Sequence, residues 1–234
     1  MAEWFETMDD KLWLPNDKIG EDDAQFIQKA LKLRRGMSIL DAPCGAGRVT
    51  FHLARFGYDV TGIDLRAGFI RRARRRFKES GLQGTFKVLD LRKLDFESQF
   101  DAIVNWCGSF GYFDDEANSA LIAAYVRALR PKGRLIIEQP DREWVLRNYK
   151  PEVILHPVKY KSVWDKQSQR SNSELIDMEH NVQRSWSSMR LYTPSQMRRL
   201  FERHKLEVED IIRPVYLKAT ESFPRMVIVG KKSP

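Results

Sequence analysis

Short apolar runs alternate with amphipathic stretches through the first 140 of the 234 residues. Met37 to Leu40 reads as a strand, and Arg48 to Phe56 as a helix carrying Val49, Leu53 and Phe56 on one face. Tyr58 to Ile63, Thr85 to Leu89 and Phe100 to Asn105 are further strand-length runs, with helical patterns near 67–79 and 116–130. Upstream, Glu21 to Arg34 predicts a helix: acidic residues fill its first turn, Phe26, Ile27, Ala30 and Leu31 share a face, and Arg34-Arg35-Gly36 ends it. Strands and helices of these lengths in alternation predict an α/β fold, a doubly wound parallel sheet covered on both faces. Ligands of such sheets sit beyond the carboxyl ends of the strands.

After Gln139-Pro140 the pattern changes. Val153 to Trp164 and Glu174 to Tyr192 alternate polar and apolar positions without a 3.6 period, which predicts two or three antiparallel strands inserted over the active edge of the sheet. Thr193-Pro194-Ser195-Gln196 is a helix start, with a Thr cap, Pro at the first position and Gln three residues after the cap. Leu206 to Ile212 and Met226 to Lys231 read as a last pair of strands. The chain therefore divides into an N-terminal lid and helix (1–36), a Rossmann-like core (37–139), an antiparallel β insertion acting as a substrate lid (140–192) and a C-terminal helix with two strands (193–234).

Composition narrows the class. Hydrophobic residues at 42% and charged residues at 31% describe a globular protein able to bury a full core. No apolar run reaches the ~20 residues of a membrane span, and the acidic, aromatic start (Met1 to Asp10) is unlike a signal peptide. The two cysteines, Cys44 and Cys107, give no disulfide framework. A cytoplasmic location is expected. The net charge of +8 is concentrated in Arg71-Arg72-Ala73-Arg74-Arg75-Arg76, where a buried stripe of Phe69, Ile70, Ala73 and Phe77 turns the arginines outward. No stacking aromatics interleave the run, which makes nucleic acid a less fitting partner than a small molecule.

Chemistry collects at the strand ends. Asp41 ends the first strand before the turn Cys44-Gly45-Ala46-Gly47, Asp64 ends the second nineteen residues after Gly45, and Asp90-Leu91 follows the third. A dinucleotide fingerprint would place a third glycine at position 50, which is Thr50. A carboxylate at Asp41 would repel a pyrophosphate but suits an ammonium group, and Asp64 suits a pair of ribose hydroxyls. Three acidic ends and then Asn105 fit a cationic nucleoside. Arg48 faces its helix dipole unfavourably and calls for a partner, Asp41 or a ligand carboxylate. Four scattered histidines (His52, His156, His180, His204) offer no metal-ligand spacing, and His52 reads as structural.

These stretches resemble the class I S-adenosylmethionine-dependent methyltransferases: LDAPCGAGR resembles the family's first motif, VTGIDL its ribose-binding strand end and LDL at 89–91 its adenine-binding turn. FDAIVNWCGSFGYFDD and LRPKGRLIIE resemble the fourth and fifth strands with the Pro-Lys-Gly turn between. The resemblance runs from roughly Met37 to Gln139. It implies a mostly parallel seven-stranded sheet whose last strand runs antiparallel, S-adenosylmethionine as cofactor and S-adenosylhomocysteine as product. The cofactor residues it implies are Asp41, Gly45, Gly47, Asp64, Leu65, Asp90 and Leu91, with Asn105 and Trp106 beside the methionine moiety. SFGYFDD and RLYT point to a small-molecule branch, so Ser109, Tyr112, Arg190 and Tyr192 are the candidate acceptor contacts; for Arg190 and Tyr192 the alternative is a contact between insertion and core. The Asn/Asp-Pro-Pro-aromatic signature of base-modifying relatives is absent at 105–108. The reading is in-line methyl transfer to an O or N of a small metabolite, with no catalytic side chain, general base or metal assigned. An RNA methyltransferase and a non-catalytic cofactor-binding scaffold are the alternatives.

Overall fold

The computed structural model describes residues 17–155, 158–178, 182–215 and 224–234. The expected N-terminal lid over residues 1–16 lies outside them. In chain order the elements are α1 (Asp17–Ala30), β1 (Ser38–Asp41), α2 (Arg48–Arg55), β2 (Asp59–Asp64), α3 (Ala67–Glu79), β3 (Thr85–Val88), a 3-10 turn (Leu91–Lys93) and β4 (Phe100–Asn105). There follow α4 (Asp115–Ala128), β5 (Leu129–Pro140), α5 (Arg142–Arg147), β6 (Glu152–Leu155), β7 (Val158–Asp165), β8 (Arg170–Asp177), β9 (Val182–Arg190), α6 (Pro194–Arg203), β10 (Leu206–Val215) and β11 (Arg225–Lys232).

Seven strands form one sheet in the order β10-β11-β5-β4-β1-β2-β3. β11 pairs antiparallel with both β5 and β10, and the pairs among β1 to β5 are parallel. The period-2 alternation of the strands sorts their side chains into two cores. Ile39, Val60, Ala102, Val104, Ile136, Val227 and Val229 face α1, α2 and α3. Leu40, Ile63, Ile103, Leu135, Ile137 and Ile228 face α4 and α6, meeting Leu121, Ile122, Met197 and Phe201. Each such Leu or Ile, wholly removed from water, contributes about 1.5–3 kcal/mol. The strand order reverses between β1 and β4, so the crevice of the sheet opens where Asp41 and Asn105 end their strands.

Two expectations change. The insertion holds four strands, β6-β7-β8-β9, rather than two or three, and the six-residue α5 precedes it. On α3, Ile70, Ala73 and Phe77 are buried, but Phe69 is only half-buried and lies under the Arg66 guanidinium at 4.2 Å. Arg76 of the arginine run turns inward over the Phe51 ring at 3.7 Å and pairs with Asp17. No helix among the described residues is long and apolar enough to cross a membrane.

Candidate functional site

β1 ends inside the protein. Asp41 is 2% exposed and accepts a hydrogen bond from the Thr50 hydroxyl at 2.5 Å. Burial pushes its carboxyl up to about 7, against the lowering effects of the Thr50 bond and the Arg48 charge. The chain then turns through Gly45 (φ +54°) and Gly47 (φ +80°) into α2. A side chain at Gly47 would meet the Ala73 Cβ at 3.0 Å, so glycine lets the turn approach α3. Above Gly45 no atom beyond its chain neighbours lies within 4 Å of where a Cβ would stand, and the Gly45 amide reaches the end of β2. There the Asp64 carboxylate accepts the Gly45 N–H and the Arg66 N–H, each at 2.9 Å. Burial holds the Asp64 carboxyl above its ordinary value, and these two amides oppose the shift. Leu65 forms the exposed rim beside it.

At the end of β3, Asp90 caps the 3-10 turn by accepting the Arg92 N–H at 2.9 Å, and its carboxylate pairs with the Arg92 guanidinium at 2.6 Å. That pairing holds the Asp90 carboxyl below its usual range. Leu91 is half-buried on the turn that Asp90 caps. The end of β4 is buried. The Asn105 side chain is wholly buried, donating to the Ala42 carbonyl at 3.0 Å and the Tyr125 hydroxyl at 2.9 Å. Trp106 is 3% exposed, lies tilted against Phe26 with ring centroids 5.7 Å apart and hydrogen-bonds Asp23. Both side chains tie strand ends to helices, Asn105 to α4 through Tyr125 and Trp106 to α1 through Phe26 and Asp23.

Arg48 also finds a different partner. Its guanidinium pairs with Asp23 of α1 at 2.6 Å and reaches the Cys107 sulfur at 2.6 Å, whereas Asp41 bonds Thr50. Cys44 is packed in the glycine turn with its thiol on the Gly45 carbonyl. His52 is buried on α2, edge-on to Phe51 at 5.3 Å.

The loop after β4 is held from below. Glu138 of β5 accepts the Gly108 N–H at 2.8 Å through one oxygen and pairs with Arg225 of β11 through the other. Both charged residues are at most 4% exposed. Cys107 (φ +59°), Gly108 (φ +62°) and Gly111 (φ +103°) bend the loop, and a side chain at Gly111 would strike the Arg190 carbonyl. Ser109 donates to the Trp106 carbonyl at 2.7 Å. Tyr112 is half-buried, with Arg225 and Tyr160 of the insertion as charged or polar neighbours, and burial pushes its phenol up. Arg190 and Tyr192 join the insertion to the core: the Arg190 guanidinium lies 3.2 Å from Asp115, and the Tyr192 hydroxyl donates to Asp115 at 3.1 Å while accepting from Asn118 at 3.2 Å. Those bonds occupy the groups that the sequence offered to an acceptor, which matches the alternative of an insertion–core contact. Thr50, Glu138, Arg225 and Tyr160 escaped the sequence reading as site residues. Glu138 carried one signal, a lone carboxylate closing an apolar run, the same signal that marked Asp41.

A family model described as a methyltransferase domain matches residues 39–133. The chain is 34% identical over 103 residues to the putative methyltransferase YqeM of Bacillus subtilis, spanning 43% of this chain and 41% of that one. It is 34% identical over 119 residues to a ubiquinone biosynthesis O-methyltransferase of Xylella fastidiosa, spanning 50% and 47% respectively. The chain thus spans less than half of the length of these curated relatives. Among solved structures, an S-adenosylmethionine-dependent methyltransferase from Clostridium acetobutylicum superposes with a TM-score of 0.73 at 16% identity, covering 94% of this chain and 93% of that one. Residues 39–133 thus match a methyltransferase domain, and the fold of the chain is similar to that of a solved S-adenosylmethionine-dependent methyltransferase.

Proposed function

We propose that this protein transfers a methyl group from S-adenosylmethionine to an O or N atom of a small molecule. The observation that carries the reading is the end of β2, where Asp64 is held by the Gly45 and Arg66 amides beside the open space over Gly45. The donor set suits a cationic nucleoside: Asp64 takes the ribose hydroxyls, Asp90 with Leu91 the adenine, the Gly45–Gly47 turn the close approach, and Asp41 the ammonium end. Carboxylates in these positions would repel a pyrophosphate, which disfavours a dinucleotide. Bound S-adenosylmethionine supplies a sulfonium-activated methyl, whose sulfur keeps the C–S electron pair as the acceptor's O or N takes the methyl and gives up a proton. The chain's contribution is orientation and exclusion of water, and orientation accounts for about 7–11 kcal/mol of such barriers. The insertion over the β4 and β5 ends covers the acceptor, and Ser109 and Tyr112 border that space.

The test uses methyl-labelled S-adenosylmethionine with the low-molecular-weight fraction of a cell extract and, separately, with its RNA. Label moving into the small-molecule fraction alone is the expected result. Label confined to RNA would contradict the acceptor class.

A further inference from the structure

The inserted sheet has two unlike faces, and its register assigns each residue to one. Ser162, Ser173 and Ser187 stand opposite one another across β7, β8 and β9. Trp164, Ser171 and Met189 form the next row on that face, and Tyr160 and Leu175 the row on the other side. The opposite face carries Val163 and Trp186, 66% and 59% exposed. The serine face is the covered one. Leu175 is 2% exposed, Ser162, Ser171, Ser173 and Ser187 are half-buried, Arg142 of α5 lies over the Trp164 ring at 5.3 Å, and Tyr160 neighbours Tyr112. Through Tyr160 it borders the loop that follows β4.

A sheet face laid against protein is ordinarily apolar, since an unpaired buried hydroxyl costs about 1–3 kcal/mol. Here serines and Tyr160 stand among Trp164, Leu175 and Met189. Ser162 and Ser173 share one hydrogen bond of 2.8 Å, and each hydroxyl, with one donor and two acceptor sites, keeps capacity for another partner. Burial holds the phenols of Tyr112 and Tyr160 above their ordinary range.

We infer that the methyl acceptor is an oxygen-rich, multiply hydroxylated small molecule, a polyol or sugar derivative, hydrogen-bonded by Ser162, Ser173, Tyr160 and Tyr112 between the insertion and the β4 loop. This rests on the methyl-transfer reading above. A long hydrocarbon tail there would offer these hydroxyls no hydrogen bond beyond those the protein itself provides, so the face selects against acceptors of that kind.

The experiment assays wild type, Ser173→Val and Ser162→Ala with labelled S-adenosylmethionine against two probe sets: sugars, amino sugars and inositols, and n-alkyl phenols and amines. Calorimetry with S-adenosylhomocysteine, and of the first set on the S-adenosylhomocysteine-loaded protein, runs in parallel. The expected result is binding and methylation of a hydroxylated probe, with Ser173→Val raising its KM at least tenfold at nearly constant kcat, the mark of lost ground-state binding. Ser162→Ala, the milder change, raises KM about threefold and keeps the test available if Ser173→Val fails to fold. Methylation confined to alkyl probes, no hydroxylated probe bound or methylated, or a KM indifferent to both serines overturns the inference and leaves the methyl-transfer reading intact. Failure of wild type to bind S-adenosylhomocysteine overturns both.

Discussion

Asp41, 2% exposed, keeps its carboxyl near pH 7 because burial outweighs the Thr50 bond and the Arg48 charge, while the neighbouring Asp64 adds to the rise. The folded value stands above the 3.8 of the free side chain, so the contribution to stability is fully present below about pH 4 and is lost as pH climbs through about 7. Urea unfolding at pH 5 and pH 8 checks this. Wild type loses stability relative to Asp41→Asn across that interval, by about 1.4 kcal/mol for each pH step of one between 5 and 7; parallel curves for the two proteins would refute it. Glu138 is buried as well, with its carboxylate set between the Arg225 guanidinium and the Gly108 amide. Glu138→Ala leaves the Arg225 guanidinium buried without that carboxylate and costs about 3–5 kcal/mol in the same assay, while the double change Glu138→Gln with Arg225→Met restores most of it. Asp41, Gly45 and Asp64 were legible because spacing along the chain sets them at strand ends. Asn105 was not, because its side chain could face the crevice or the core and only packing against Tyr125 decides. The partner of Arg48 was hidden too, for Asp23 lies 25 residues upstream on another element.

Elements defined by local signals were read correctly to within a few residues. Thr193 accepts the Gln196 N–H while the Gln196 side chain accepts the Thr193 N–H, the capping box that the sequence announces before α6. Thr193→Ala removes one of these bonds and lowers stability by about 1 kcal/mol, visible as a smaller urea midpoint at unchanged slope. An unaltered midpoint would show that the cap is dispensable. The insertion was harder. Its strands are half-buried on one face and mixed on the other, Val163 and Trp186 standing exposed among polar neighbours, so alternation marks strands without counting them. α5 spans only Arg142–Arg147, too short to show a 3.6 period.

At the scale of the whole molecule, two sheets meet over the strand ends that carry the site. Arg170 of β8 donates to the carbonyls of Gly111, Tyr112 and Phe113 at 3.0–3.2 Å, and the Arg190 N–H donates to Gly111 at 2.8 Å. The insertion is thus fastened to the loop after β4, while the glycine turn, Asp64 and Asp90 stay on the core sheet. On the proposed function this division separates cofactor from acceptor. The most direct test of the methyl-transfer reading is isothermal titration of S-adenosylmethionine and S-adenosylhomocysteine into wild type and Asp64→Ala. Wild type is expected to bind both at micromolar Kd, and the variant to lose at least tenfold, about 1.4 kcal/mol. Absence of binding by cofactor-free wild type, or equal affinity in the two proteins, would contradict it.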